Sequence, residues 1–188
     1  AGVGQGACVL VSDRDGDEEI FVMDADGSNP RQLTFNSAYD FTPMWSPDGQ
    51  HILFDNDTTG LFQIYLMDTD GDNVQQLTDN PNGNSYLGTW SSDGQTILFQ
   101  TDRDGDSEIF AMNADGSDEH RLTSNTTWEN TAIYSPVVSL TRSPEESPPV
   151  ISSSGEIVFV SNRDGMYDIF VMDSDGGQVR QLTQNMGS

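Results

Sequence analysis

Lysine is missing from this chain, and cysteine and histidine are nearly so. Of 188 residues, seven are basic and all seven are arginine, against 31 Asp and Glu, for a formal net charge of −24. Without lysine there is no Schiff-base nucleophile and no phosphate loop of the Gly-Lys type. A surface this acidic repels phosphate backbones and anionic lipid, which excludes nucleic acid as a partner and adsorption to a membrane. Cys8 stands alone, so no internal disulfide is expected, and its setting Ala7-Cys8-Val9-Leu10-Val11 reads as a strand holding a buried thiol. No apolar run reaches about 18 residues, so no membrane insertion is expected. The chain starts at Ala1 without Met, which fits a mature product freed of its signal and equally a trimmed chain. Nucleophile motifs are missing too, and His51 and His120 stand far apart, which argues against an enzyme.

Only 34% of the residues are hydrophobic, and with this charge that composition is the signature of disorder. Repetition answers it. The segment Glu19-Ile20-Phe21-Val22-Met23-Asp24-Ala25-Asp26-Gly27 returns from Gln63, from Glu108 and from Asp168, with isoleucines 44, 45 and 60 residues apart. Each copy is followed by Leu-Thr-x-Asn, beginning at Leu33, Leu77, Leu122 and Leu182. Between copies stand Trp45-Ser46-Pro47-Asp48-Gly49-Gln50 and Trp90-Ser91-Ser92-Asp93-Gly94-Gln95. Asp-Gly between short β-rich runs marks hairpins, so each unit reads as four short strands, a to d. Four such units predict an all-β fold: a four-bladed β-propeller of four-stranded antiparallel blades, in a single domain over 1–188. The units run approximately over 1–38, 39–82, 83–127 and 128–188. Trp45, Trp90, Tyr134, Met23, Met67, Met112 and Met172 recur once per unit and read as core.

Trp-Ser-Pro-Asp-Gly, the run Ser12-Asp13-Arg14-Asp15-Gly16-Asp17 leading into Glu19-Ile20-Phe21-Val22-Met23, and Arg31-Gln32-Leu33-Thr34 resemble the TolB-type β-propeller repeat. The resemblance covers almost the whole chain except 137–154 and the extreme ends. It implies the fold more than the task, since members of that family include periplasmic assembly proteins, caps on serine peptidases and surface proteins, usually with more blades. Two irregularities stand out. Repeat spacing puts Tyr134 at the Trp position while strand b of that unit starts near Ile157, so 137–154 reads as an insertion in its a–b turn. Counting back from Trp45 puts Ala1 where strand a of the first unit ends, so the first blade lacks one strand, and too few residues follow Leu182 to supply it. A neighbouring subunit giving that strand by β-addition would make a homo-oligomer, as a ring or a filament.

The b–c loops carry the sharpest chemical pattern. Asp13, Asp15, Asp17 and Glu19 in the first unit, and Asp102, Asp104, Asp106 and Glu108 in the third, alternate carboxylates around a glycine, as a Ca²⁺ ion requires of oxygen ligands. Four unit charges ~5 Å apart in water repel by about 5 kcal/mol in total, which a cation would relieve. Asn162, Asp164 and Asp168 are a weaker third set. The second unit has Asp57 alone, so the turn does not need the acids for its shape. Asn36, Asp40, Asn125 and Glu129 lie on the same rim and are placed to complete coordination. The c–d acids read as turn formers, and Arg14, Arg103 and Arg163 at one repeat position, with Arg31, Arg121 and Arg180 at another, read as partners for carboxylates. The sequons at Asn56 and Asn125 permit glycosylation. Together these features predict a non-enzymatic, secreted, calcium-binding propeller, extracellular or at the cell surface with the periplasm as an option, acting as a structural or assembly module. A monomeric binder of a protein or glycan, or a fragment of a larger propeller, is the alternative.

Overall fold

The computed structural model describes residues 7–14, 16–124, 129–134, 156–163, 165 and 168–183. The described residues are all-β and form four antiparallel sheets. The first holds β1 (Cys8–Ser12), β2 (Glu19–Met23) and β3 (Arg31–Gln32); the second β4 (Asp40–Trp45), β5 (His51–Asn56), β6 (Gln63–Asp68) and β7 (Gln75–Gln76). The third holds β8 (Ser85–Trp90), β9 (Thr96–Thr101), β10 (Glu108–Asn113) and β11 (His120–Arg121); the fourth β12 (Glu129–Tyr134), β13 (Ile157–Ser161), β14 (Asp168–Met172) and β15 (Arg180–Gln181). Every strand pairs with its neighbour in sequence, so each sheet is a meander, the blade of a propeller. β12 and β13 pair directly, and the insertion over 137–154 falls outside the described residues, as do residues 1–6, where strand a of the first blade was sought.

The apolar residues alternate as period-2 strands demand, but both faces are covered because each blade lies between two others. In β5, Ile52 and Phe54 face the first sheet while Leu53 faces the third. In β9, Ile97 and Phe99 face the second sheet while Leu98 faces the fourth. Among the described residues the core is therefore three slabs, one per blade–blade junction, rather than one centre. Met67, Met112 and Met172 are almost fully buried and Trp90 is 8% exposed, while Met23 and Trp45 are half-buried. Cys8 is exposed, contrary to the sequence reading, because it opens an edge strand whose outer face no described residue covers.

Successive blades are locked by backbone contacts at both rims. On one rim the N–H that starts strand a donates to the carbonyl just before strand c of the preceding blade: Asp40 to Glu18 (2.9 Å), Ser85 to Phe62 (2.7 Å) and Glu129 to Ser107 (3.1 Å). On the other, the c–d turn glycine of one blade lies against the leucine of Leu-Thr in the blade before it. A Cβ on Gly71, Gly116 or Gly176 would stand 2.7, 3.1 and 2.7 Å from the carbonyl oxygens of Leu33, Leu77 and Leu122. Arg31 reinforces this rim, donating to the carbonyls of Asp70 (2.8 Å) and Thr69 (2.9 Å) in the next blade. Among the described residues no strand of the first sheet contacts a strand of the fourth.

Gly71 (φ 92°) carries two constraints, a left-handed backbone and a closed contact, whereas Gly60 (φ 90°) carries the first alone with open space around it. Gly71→Ala is expected to lose about 2–3 kcal/mol of stability and Gly60→Ala about 1 kcal/mol, measured by chemical denaturation.

Candidate functional site

The recurring polar residues first make turns. Ser46 donates its hydroxyl to Asp48 Oδ1 (2.6 Å) and accepts from the His51 N–H (3.0 Å), while the Gln50 N–H caps the same carboxylate (3.1 Å). Ser91, Asp93, Gln95 and Thr96 repeat this network at 2.6, 3.0 and 3.0 Å. The serine hydroxyls hold Asp48 and Asp93 below the usual carboxylate range. In the c–d turns the side chains of Asp26, Asp115 and Asp175 accept backbone N–H bonds from residues 28, 117 and 177. These acids are turn formers, as the sequence suggested.

The b–c acids separate into distinct roles. Asp102 accepts from the Asn84 N–H (2.6 Å) and Nδ2 (3.1 Å), and Asp57 accepts from the Tyr39 N–H (2.8 Å), so the first acid of the loop ties down the start of strand a in its own blade. Asp104 pairs with Arg121 at 3.3 Å, and Arg121 also holds Glu108. Asp106 is half-buried, with Oδ2 enclosed and without a hydrogen-bond partner. Asp13 is exposed and Asp17 half-exposed, while Asp15 and Asp164 lie outside the described residues. Asn162 opens the fourth blade's loop, half-buried, with the Gly165 N–H on its carbonyl (2.8 Å). Among the described residues no three His, Cys, Asp or Glu side chains come together around one point.

The last acid of each predicted set leaves the loop altogether. Glu19, Glu108 and Asp168 begin strand c, at 1%, 1% and 4% exposure, and turn inward. Each neighbours the threonine of Leu-Thr, whose hydroxyl accepts the N–H of the following isoleucine at 2.9 Å in all four blades. The hydroxyls of Thr123 and Thr183 also donate to Glu108 and Asp168. The second blade makes the same arrangement with the neutral Gln63, which accepts from Thr78 (2.9 Å) and from the Asn80 N–H (3.1 Å). Leu-Thr-x-Asn is thus a clamp on the start of strand c, a function that spacing alone did not disclose. Asp40 and Glu129, proposed as completing ligands, are fully buried: Asp40 accepts from Asn36 (2.9 Å) and Asn56 (2.7 Å), and Glu129 from Ser161 (3.1 Å) and Arg163 (2.8 Å). Asn56, the first sequon residue, is 4% exposed and spends its amide on Asp40, so the folded chain withholds it from glycosylation. Asn125 lies outside the described residues.

The arginines also fall into place by register. Arg14, Arg103 and Arg163 lie over the c-strand rings of Phe21 (4.2 Å), Phe110 (4.5 Å) and Phe170 (4.6 Å), each Nε donating to a strand-b Ser or Thr hydroxyl. Arg103 and Arg163 pair in addition with Glu119 and Glu129. Arg31 and Arg180 share one position, but Arg121 stands one residue later, opposite Phe110 where Gln32 is opposite Phe21. The sequence grouping of Arg121 with the other two is corrected accordingly.

Among the described residues, recesses open between the blades. One of about 370 Å³, between the second and third sheets, is lined by Asp48, His51, Gln75, Trp90, Asp93 and Asp115. Three carboxylates held in the ionised form make it anionic, and His51 stands 4.0 Å from Asp68 beside it. Another, about 280 Å³ between the first two sheets, is apolar, with Leu33, Phe54, Tyr65 and Val74 around an exposed Phe35.

Glu19 gives the sharpest titration. Burial pushes its pKa from 4.5 up to about 7, and the adjacent Asp40 carboxylate adds to this against the Thr34 hydroxyl and the Asn36 N–H. The folded state therefore holds a proton that the unfolded chain has released, so Glu19 lowers stability as pH rises from about 4.5 to 7. Glu19→Gln, copying Gln63, is expected to flatten this slope and add on the order of 1 kcal/mol at pH 8 while leaving pH 4 unchanged, by denaturation across pH.

Residues 4–87 match the family model of the TolB β-propeller domain. The Tol-Pal system protein TolB of Desulfosudis oleivorans is 34% identical over 59 residues, covering 31% of this chain and 14% of that protein. The solved structure of putative TolB from Agrobacterium tumefaciens superposes with a TM-score of 0.75 at 26% identity, over 94% of this chain and 60% of that one. An oligogalacturonate lyase from Vibrio parahaemolyticus has a TM-score of 0.70 at 14% identity, over 93% of this chain and 48% of that one, which is likeness of fold. The chain thus spans less than two thirds of the length of each relative. With the family model over its first blades and a shared fold across nearly its whole length, the chain is similar to the TolB β-propellers.

Proposed function

We propose that this chain is a non-catalytic segment of a TolB-like propeller that works outside the cytoplasm, in the periplasm or beyond it, by holding the surface of another protein. The observation that carries this reading is the anionic recess between the second and third blades. Its acids are not poised to exchange protons: Asp48, Asp93 and Asp115 are held ionised by serine hydroxyls and backbone N–H groups, the wrong state for a general acid. Fixed negative charge around a recess of about 370 Å³ suits an arginine or lysine side chain presented by a partner. With a chain charge of −24, the encounter is steered toward basic surfaces. The Tol-Pal system named for the curated relative supplies defined proteins for the test. Titrated calorimetrically against purified Tol-Pal proteins, the chain is expected to bind saturably, more weakly at higher salt, and about tenfold more weakly as Asp93→Asn. No saturable binding, or saturable turnover of an amide or uronate substrate, overturns the reading.

Calcium is a second element of the proposal, now confined to the loop acids. Asp106, half-buried with an oxygen that lacks a donor, favours it in the third blade, where Asp102 and Asp104 would join only by leaving Asn84 and Arg121; Asp13, Asp15 and Asp17 are the first-blade set. Glu19, Glu108 and Asp168 take no part in it, being committed to the threonine clamp. Millimolar Ca²⁺ is expected to raise Tm by several degrees, and Asp106→Asn to halve that rise. An unchanged Tm leaves the loops as hydrogen-bonded turns only.

A further inference from the structure

Three of the four blades carry an arginine that the second blade lacks. Each b–c turn closes in the same way, with its glycine N–H on the carbonyl of the first loop residue: Gly16 on Asp13, Gly60 on Asp57, Gly105 on Asp102 and Gly165 on Asn162. The residue after that carbonyl is Arg14, Arg103 or Arg163 in the first, third and fourth blades, and Thr58 in the second. Short-range contacts fix the equivalence. The N–H groups of Thr58, Arg103 and Arg163 donate to the side chains that end strand b, Asn56 (2.8 Å), Thr101 (3.4 Å) and Ser161 (3.2 Å).

The rest of the arginine seat is kept in the second blade. In the third and fourth blades the guanidinium covers two rings, Phe99 with Phe110 and Phe159 with Phe170, whose centroids stand 5.8 Å apart. The second blade has the same pair as Phe54 and Tyr65, 5.6 Å apart, and among the described residues no arginine lies over it. The recess of about 280 Å³ opens there instead, with Phe35, Phe54, Asn56, Thr58, Tyr65 and Val74 on its walls. By register, Asn56 stands where Ser12, Thr101 and Ser161 accept the arginine Nε.

The counter-charge is kept as well. Glu129, fully buried at the start of strand a, holds Arg163 at 2.8 Å in the fourth blade. Asp40 is its equivalent, opposite Asn56 as Glu129 is opposite Ser161, and it is also fully buried. It accepts from the neutral amides of Asn36 and Asn56, with the Glu19 carboxyl beside it, and among the described residues no basic side chain pairs with it. Burial, then the carboxylates of Asp79 and Asp40, hold the Tyr65 hydroxyl above its usual range, so the ring stands in a negative field. At the mouth, Phe35 is 76% and Val74 53% exposed, apolar surface suited to a methylene stem. Val74 lies three residues past the turn glycine, the position of Glu119, which braces Arg103, and of Val179 in the fourth blade, where Arg163 keeps its seat.

We infer that this recess binds the side chain of an arginine presented by another polypeptide, its guanidinium lying over Tyr65 and Phe54 where the other blades place their own. The fold shows three times what fills this seat, which commits the occupant to a guanidinium rather than an apolar group. A flat guanidinium covers a ring and donates sideways at once, which a lysine ammonium does not. The recess lies at the first junction, away from the anionic recess at the second, and the inference does not rest on the reading of that site.

The test is an NMR titration of the Tyr65 ring signals with N-acetyl-arginine amide, compared with N-acetyl-citrulline amide, its neutral isostere. The arginine compound is expected to shift the Tyr65 signals saturably in the millimolar range, and the citrulline compound to bind at least tenfold more weakly. Thr58→Arg supplies the guanidinium from within and is expected to raise Tm and abolish the shift. Val74→Glu, copying Glu119 at an exposed position, is expected to tighten binding several-fold. Asp93→Asn, in the other recess, is expected to leave the Tyr65 titration unchanged. The inference is overturned by the lack of a saturable shift at Tyr65, by equal shifts from the citrulline compound, by loss of the shift in Asp93→Asn, or by binding that neither Thr58→Arg nor Val74→Glu alters.

Discussion

The junction between successive blades is the constraint on which the rest of this protein depends. Each blade is a meander of four short strands, or three in the first among the described residues, too thin to own a core. Its apolar residues are useful only when another blade covers them, so stability comes in slabs and the order of blades is fixed by neighbours. The junction is set at one rim by the strand-a N–H reaching back to the previous blade and at the other by a glycine laid on a leucine carbonyl. A side chain at that glycine would hold the blades apart, and its left-handed φ of 92° at Gly71 and 84° at Gly116 calls for the same residue.

The acidity follows from this architecture. A propeller of short strands is rich in turns, and here nearly every turn is closed by an Asp that accepts backbone N–H bonds or a serine hydroxyl. Fixing the carboxylate in its charged form strengthens the turn and leaves the charge in place, so turn chemistry and a charge of −24 are the same fact. The buried acids belong to a different class. Glu19, Glu108 and Asp168 are anchored to threonines under the strand-c start, and the neutral Gln63 in the same seat shows that the clamp needs an acceptor rather than a charge.

The fold was legible because the repeat is written in residues whose roles are local. Asp-Gly, Trp-Ser-x-Asp-Gly and Ile-Phe-x-Met locate turns and strands without knowledge of what packs on what, and the strands fall where those signals put them. The candidate site was legible only in part. Alternating carboxylates in 102–108 suggested one converging set, but strand c begins at Glu108 and its side chain points into the blade, while Asp102 is spent on Asn84 and Asp104 on Arg121. Spacing records which residues are near in sequence, not which side of the strand boundary each falls on. Arg121 directly precedes Leu122 where Arg31 stands two residues before Leu33, and its pairing opposite Phe110 carries the same one-residue offset into the sheet.

The sequence by itself determined the unit: its strands, its turns, its repetition and the acidity of its surface, since each is set by residues within a few positions of one another. Tertiary structure alone decided what those units make of one another. That Gly71 needs no side chain because of Leu33, that Cys8 is exposed while its equivalents Ile52 and Ile97 are buried, and that Asp48, Trp90 and Asp115 share one recess are consequences of stacking. Contacts between blades join residues about 40 positions apart, and a chain read in order carries no mark of which faces meet.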